Sequence, residues 1–208
     1  WIMQPERKLT TMSPNDISYT RPPFLVVNTE LSVRKEVYGA IGDRVARHAQ
    51  LLRPAEDSDT VVVGMHPAGS PGYLPMFSHL ARRGHHVIAC ASRYTMGDAA
   101  LQIENVLLDL GACVRDAKER LGYRRVILAG WSGGGALIAG YQAEAEKRSI
   151  IQTAAGVPTR LSDTDLIAGD GVALMATHRS RHRLLTDFLD PSILNEDEPD
   201  KRDVELNL

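Results

Sequence analysis

The chain has 208 residues, of which 43% are hydrophobic and 24% charged, so it is long enough for one well-packed core and reads as one globular domain. A formal net charge of −2 gives no electrostatic reason to expect nucleic acid or an anionic membrane as a partner. No apolar stretch approaches the roughly 20 residues of a membrane-spanning helix. Since nothing in the sequence directs the protein elsewhere, we expect a cytoplasmic location, with Cys90 and Cys113 as two buried free thiols.

Apolar periodicity predicts the first elements. Residues 1–23 are polar and interrupted by prolines, which indicates an irregular N-terminal arm with room for one short strand, and residues 24–27 form a candidate strand. A helix is predicted over 35–52, because apolar residues recur there at spacings of four: Val37, Ile41, Val45 and Ala49. The continuously apolar segment 60–65 predicts a strand that is covered on both faces.

Strands and helices alternate in the rest of the chain. We expect helices over 73–83, 98–121 (with Asp98 as its N-terminal cap) and 134–147, and strands over 86–90, 124–129 and 171–176. The residues from 177 onward are charged and irregular, with a short helix near 184–189. This alternation predicts an α/β fold with a mostly parallel sheet flanked by helices.

A Gly-x-Ser-x-Gly motif, Gly130-Trp131-Ser132-Gly133-Gly134, lies between a predicted strand and a predicted helix. A serine hydroxyl needs a base to become nucleophilic, and it must be exposed and held still. A tight strand-to-helix turn meets the last two needs, and its glycines give the room that such a turn requires. The amides at the start of the following helix would stabilise negative charge on a substrate oxygen. The motif therefore predicts that Ser132 is a catalytic nucleophile, whereas a turn that only packs the helix is the simpler alternative.

The chain resembles the α/β-hydrolase superfamily, on the motif around Ser132, on His66-Pro67-Ala68-Gly69 and on the order of strands and helices from about 24 to 176. The resemblance implies an oxyanion hole formed by the amide of Gly133 and by an amide of the loop after the third strand. Pro67 has no N–H, so Ala68 is the expected second donor, ahead of Gly69. His66 then corresponds to a structural histidine of that loop.

The family order of nucleophile, acid and histidine is not completed in this sequence. Only His178 and His182 follow Ser132, and no carboxylate occupies a clear strand-end position before them. Their spacing of four would also suit two metal ligands on one helix face, but a third ligand is missing, and no metal or cofactor is implied. Either a second polypeptide carries the acid, the histidine and the last strands, or the protein is a compact hydrolase that uses His178 or His182.

The first explanation is preferred, because a parallel sheet that ends at Ala176 would leave an exposed apolar edge. The expected organisation is then an N-terminal arm (1–23), a partial α/β-hydrolase core that lacks its C-terminal strands (24–176), and the start of a lid or a severed loop (177–208). The expected partners are a small-molecule substrate and a second polypeptide, and neither nucleic acid nor a membrane.

The expected activity is hydrolysis of a carboxylic ester or a related carbonyl compound (a lactone, an amide or an activated carbon–carbon bond) through an acyl-enzyme on Ser132. Trp131 and Tyr73 are candidates for lining the substrate pocket, although packing explains them equally well. Acyl transfer uses the same serine turn and is not distinguished by sequence. A binding protein with a vestigial serine is the non-enzymatic alternative.

Overall fold

The computed structural model describes residues 16–29, 40–41, 44–96, 101–178, 192–195, 197–198 and 200–206. These residues form eight strands and three α-helices. The strands are β1 (Tyr19–Thr20), β2 (Pro23–Thr29), β3 (Ala40–Ile41), β4 (Arg44–Pro54), β5 (Thr60–Gly64), β6 (His86–Cys90), β7 (Arg125–Trp131) and β8 (Gly171–Met175). The helices are α1 (Pro75–Arg82), α2 (Ile103–Glu119) and α3 (Gly133–Glu146).

The strands form one mixed sheet in the order β1-β4-β6-β5-β7-β8, in which β2 and β3 also pair with β4. β6, β5, β7 and β8 are parallel neighbours, which confirms the predicted parallel sheet for this part of the fold. β4 runs antiparallel to β6 and to β1, β2 and β3, so the other edge of the sheet is antiparallel.

Helices cover the two faces of the sheet, as the two-sided burial of β6 demonstrates. Ile88 and Cys90 belong to a buried cluster that contains the inward residues of α2 and α3. Val87 and Ala89, which point to the opposite face, belong to a second cluster with Phe77 and Ala81 of α1. None of the helices in the described part of the chain is long and apolar enough to cross a membrane.

Most predicted elements lie within one or two residues of the observed ones. The predicted strands over 60–65, 86–90, 124–129 and 171–176 correspond to β5, β6, β7 and β8, and the helix over 134–147 corresponds to α3. Cys90 and Cys113 are buried free thiols, as expected. The predicted helix over 98–121 begins later than expected: α2 starts at Ile103 with Gln102 at its N-cap position, so the prediction that Asp98 caps this helix is wrong. The short helix near 184–189 and His182 lie outside the described residues.

The predicted helix over 35–52 is wrong where the structure describes it, because Arg44–Pro54 forms β4. A spacing of four is close to one helical turn, but it is also two full periods of a strand. Val45 and Ala49 therefore share one buried strand face, and Arg47, which lies between them in the alternation, is buried on that same face. A charged side chain such as that of Arg47 is ordinarily exposed, so its burial is not evident from the sequence pattern.

β8 lies at one end of the sheet. In the described residues it pairs with β7 alone, with Met175 opposite Trp131. Val172 and Leu174 are exposed on alternate positions of β8, which places an apolar stripe at this edge.

Asp170 fixes the start of β8 against β7. Its Oδ2 accepts hydrogen bonds from Lys118 Nζ (2.8 Å) and from the Val126 N–H (2.7 Å). The Lys118 ammonium, and next the Val126 amide, lower the pKa of Asp170 below the ordinary value of 3.8. A carboxyl group whose pKa is lowered by folding stabilises the fold above its unfolded pKa, and that stabilisation is lost as the pH falls through the folded pKa.

We therefore expect Asp170→Asn to lower the free energy of unfolding at neutral pH, and to lower it progressively less as the solution is acidified. Urea unfolding followed by circular dichroism between about pH 7 and about pH 2 measures the difference. Asp163→Asn, at an exposed carboxylate, is the control and should change stability little. A deficit of Asp170→Asn that stays constant over the whole range would contradict the expectation.

The sheet order also determines where a site can form. β6 follows β5 on one side, whereas β8 follows β7 on the other side, so the chain winds in opposite directions from the adjacent strands β5 and β7. Ligands of open α/β sheets bind in the crevice at the carboxyl ends of two such strands. The segments that leave these ends contain His66-Pro67-Ala68-Gly69 and Ser132.

Candidate active site

Ser132 lies in the sharp turn between β7 and α3, as the motif predicts. Its backbone angles are φ 56° and ψ −126°, a conformation that a non-glycine residue rarely adopts. Its N–H donates to the Met175 carbonyl (3.2 Å) and its carbonyl accepts from the Gly135 N–H (3.1 Å), so the turn is held on both sides. A strained residue that the surroundings fix in this way is typical of a functional position.

Two glycines at the start of α3 allow neighbouring segments to approach the turn. A Cβ at Gly134 would lie 2.7 Å from the Met65 carbonyl oxygen, so the loop after β5 reaches the turn only because no side chain is present. A Cβ at Gly135 would lie 2.7 Å from the Thr177 Cβ and overlap that side chain. These two positions therefore bring both the loop after β5 and the segment after β8 against Ser132.

His178 lies beside Ser132. Its Nε2 is 2.8 Å from the Ser132 Oγ, and both residues are half-buried. The contact follows from the topology, because β7 and β8 are parallel neighbours and the segments that leave their carboxyl ends meet at one edge of the sheet. This distance allows the imidazole to accept the hydroxyl proton.

The sequence favours a histidine from a second polypeptide. The structure instead places an imidazole of this same chain, that of His178, beside Ser132. Of the two explanations, the one that uses His178 accounts for the geometry. Within the described residues, no carboxylate forms a hydrogen bond with His178. Asp187 and Asp190, two carboxylates that follow His178 in the sequence, lie outside the described residues.

Gly133, whose amide the sequence predicts to be one oxyanion donor, lies at the start of α3. Gly133 is the first residue of α3, so its N–H has no acceptor within the helix. The positive end of the helix dipole adds to its attraction for negative charge. Gly133 follows Ser132 directly and is buried, which puts its amide next to the hydroxyl.

Residues 66–69, where the sequence predicts the second oxyanion donor, are called the oxyanion loop. In this loop the Gly69 N–H donates to the Tyr94 carbonyl (3.0 Å) and is not available for a substrate, while Pro67 has no N–H. The Nδ1 of His66 is 2.8 Å from the Ala68 carbonyl oxygen and 3.4 Å from the Ala68 nitrogen. The shorter contact fits Nδ1–H donating to the carbonyl, and an Nδ1 that carries a proton cannot also accept from the Ala68 N–H.

The two pocket candidates occupy different environments. Trp131 ends β7 beside Ser132 and is 39% exposed, so it is accessible from the site, whereas Tyr73 is 86% exposed. Neither lines the cavity of about 510 Å³ that lies beside the loop after β6. That cavity is lined by Ala46, Arg47, His48, Ser92, Arg93, Thr95 and Met96. The pocket roles of Trp131 and Tyr73 stay predictions.

Sequence reasoning missed a buried charge cluster next to this cavity. The Asp109 carboxylate, in α2, accepts from Arg47 Nη2 (2.6 Å) and from Arg93 Nη2 (2.6 Å), and all three side chains are almost wholly buried. Arg93 also donates to it through its backbone N–H (2.8 Å) and its Nε (3.0 Å). A charge at an apolar helix position, such as Asp109 among Leu107, Leu108 and Leu110, is the one signal that could have revealed it.

Neither a known family model nor a curated protein matches the chain. Several solved structures are similar to it in fold. The bacterial brefeldin A esterase, a homologue of human hormone-sensitive lipase, is 20% identical, with 88% of this chain and 48% of that chain covered and a TM-score of 0.47. A thermostable carboxyl esterase from Bacillus coagulans is 13% identical, with 89% and 56% covered and a TM-score of 0.47.

Lipase A from Candida antarctica is 13% identical, with 82% of this chain and 43% of that chain covered and a TM-score of 0.48. This chain thus spans about half the length of these solved structures. At these identities the likeness concerns the fold alone.

Proposed function

We propose that the protein is a serine hydrolase that cleaves a carboxylic ester, or a related small carbonyl compound, through an acyl-enzyme. The observation that carries the proposal is the 2.8 Å contact between Ser132 Oγ and His178 Nε2 at a turn where the serine adopts a positive φ. A nucleophile and a base within hydrogen-bond distance, at the start of a helix, are the arrangement that nucleophilic acyl chemistry requires.

The reaction follows from the positions of these groups. His178 Nε2 accepts the Ser132 hydroxyl proton while Oγ bonds to the substrate carbonyl carbon, and the carbonyl oxygen becomes an oxyanion. The Gly133 and Ala68 N–H groups stabilise that oxyanion. As the carbonyl re-forms, the bond to the alcohol breaks and His178 returns its proton to the leaving oxygen. A water molecule then gives a proton to His178 and attacks the carbonyl carbon of the acyl-enzyme. The bond to Ser132 Oγ breaks, His178 returns the proton to Oγ, and the acid is released.

We further propose that a second polypeptide supplies the carboxylate that orients His178. Two observations support this: no described carboxylate bonds to His178, and β8 presents the apolar side chains of Val172 and Leu174 at an edge that lacks a described strand neighbour. An acid at Nδ1 would hold the imidazole in the tautomer that leaves Nε2 able to accept a proton. The cytoplasm is the proposed location, and intact-mass analysis of the native preparation tests for the second polypeptide.

The serine itself is tested with a fluorophosphonate probe, which bonds covalently to an activated serine. We expect one probe adduct per chain, mapped by peptide mass spectrometry to the peptide that contains Ser132, and no adduct in Ser132→Ala. Ser162→Ala, at an exposed serine whose hydroxyl lies within hydrogen-bond distance of the Thr159 carbonyl and the Asp163 carboxylate, should be labelled like the wild type. A wild-type protein that stays unlabelled, alone and together with any co-purifying polypeptide, would favour a non-catalytic binding role. Product analysis with added alcohols separates hydrolysis from acyl transfer.

A further inference from the structure

The loop after β6 holds the oxyanion loop on both sides of Ala68. We call residues 91–94 the β6 loop. The Ser92 hydroxyl donates to the Pro67 carbonyl oxygen (2.7 Å), and the Tyr94 carbonyl accepts from the Gly69 N–H (3.0 Å). These bonds fix the residues before and after Ala68, while the Ala68 N–H is directed at His66 Nδ1 with a contact of 3.4 Å.

The first of these bonds acts on the peptide group that carries the proposed oxyanion donor. The Pro67 carbonyl and the Ala68 N–H belong to one planar peptide unit, and the described backbone contains no cis peptide bond. The carbonyl and the N–H therefore point in opposite directions. A hydrogen bond that fixes the Pro67 oxygen also fixes the direction in which the Ala68 N–H points, and polarisation of the carbonyl strengthens that N–H as a donor.

The Ser92 hydroxyl is itself held in place. Its side chain is fully buried, and its oxygen accepts from the Tyr94 N–H (3.1 Å) while the hydroxyl donates to Pro67. The next residue, Arg93, bonds to the buried Asp109 carboxylate through its backbone N–H (2.8 Å) and its guanidinium group. Helix α2 therefore anchors the β6 loop next to Ser92, and the loop can hold the peptide unit rigidly.

We propose that Ser92 is a positioning residue that orients the Ala68 N–H toward the oxyanion, acting through the Pro67 carbonyl. Ser92 does not touch the substrate carbonyl in this scheme. Its effect is on the stability of the transition state, because it acts only through the Ala68 N–H, a donor that binds the negative charge that develops on the substrate oxygen. This inference rests on the proposed serine hydrolase function.

The test compares Ser92 variants of the full-length protein with p-nitrophenyl acetate as substrate. Ser92→Ala removes the hydroxyl, Ser92→Cys fills the same space with a much weaker donor, and Ser92→Thr retains the hydroxyl. We expect the Ala and Cys variants to lose about 10²-fold in kcat with KM changed less than about threefold, and the Thr variant to recover most of the kcat. If Ser92→Ala does not fold, Ser92→Cys carries the comparison.

A second measurement reads the oxyanion directly. An alkyl trifluoromethyl ketone forms a hemiketal with Ser132 whose oxygen is an oxyanion, with the hydroxyl proton held on His178. Its inhibition constant should rise in Ser92→Ala and Ser92→Cys by the same factor by which kcat/KM falls. Ser58→Ala is the matched control. The Ser58 hydroxyl also donates to a backbone carbonyl (Thr60, 2.8 Å), and its oxygen accepts from the amide two residues further on (3.1 Å). Ser58 lies before the first residue of β5, whereas the site lies at the carboxyl end of that strand.

The outcomes separate this inference from the proposed function. If wild-type Ser132 is not labelled by the fluorophosphonate probe, the proposed function fails. If Ser132 is labelled and the Ala and Cys variants keep the wild-type kcat and the wild-type affinity for the ketone, the positioning role of Ser92 is overturned while the function stands. A loss of thermal stability alone, with unchanged kcat, also overturns it.

Discussion

Replacing His178 with alanine is expected, under the proposed function, to lower kcat/KM for an ester by about four orders of magnitude or more, as the loss of the triad base does in serine hydrolases. The reason is that Ser132 then loses the imidazole that lies 2.8 Å from its hydroxyl, while the strand-to-helix turn remains. Steady-state kinetics with p-nitrophenyl acetate, together with the rate of fluorophosphonate labelling, measure the loss.

Two further variants show that the effect concerns proton transfer. His178→Gln retains a polar group of similar reach but cannot act as a base at neutral pH, so it should be about as impaired as His178→Ala. His182→Ala is the matched control, since the sequence left both histidines open and the structure brings only His178 to Ser132 among its described residues. A loss in His182→Ala and none in His178→Ala would show that the observed contact is not the catalytic one.

The sharp turn at Ser132 could be predicted from sequence because it depends on neighbouring residues alone. A β-branched apolar strand, a glycine-rich turn and a helix with small residues at its start follow one another around Ser132, and each favours the same turn. The contact of His178 with Ser132 could not be predicted in this way, because it depends on two strands that are 40 residues apart in sequence and adjacent in the sheet. Sequence shows that His178 follows a strand; only the strand order shows that the strand lies next to β7.

The error at β4 has a different origin. Apolar residues at spacings of four satisfy both the helical and the strand period, and the residue that would have distinguished them is Arg47. A charged side chain is expected on a solvated face, and here it is buried because Asp109 pairs with it. The burial of Arg47 in β4 therefore depends on a contact with Asp109, a residue 62 positions further along the chain.

The same cluster links the antiparallel half of the sheet to the site. Arg47 comes from β4, Asp109 from α2 and Arg93 from the β6 loop, so the shared carboxylate joins three segments that the chain separates widely. Buried charges are stable only when they are paired and hydrogen-bonded, and removal of one partner leaves the others in a medium that solvates them poorly. The cluster is therefore more sensitive to a single substitution than an apolar contact of similar size.

We expect Asp109→Ala to lower the free energy of unfolding by about 3–5 kcal/mol, because two buried guanidinium groups lose the carboxylate that they share. Asp109→Asn keeps a side-chain oxygen as an acceptor but removes the charge, and it should be intermediate. Urea unfolding at constant pH gives the three values. Asp57→Ala is the control, because Asp57 pairs with Arg53 at the surface and is 92% exposed, so its loss should change stability little. If Asp109→Ala is no less stable than Asp57→Ala, the cluster does not stabilise the fold, and the anchoring of the β6 loop by α2 would have to come from apolar contacts instead.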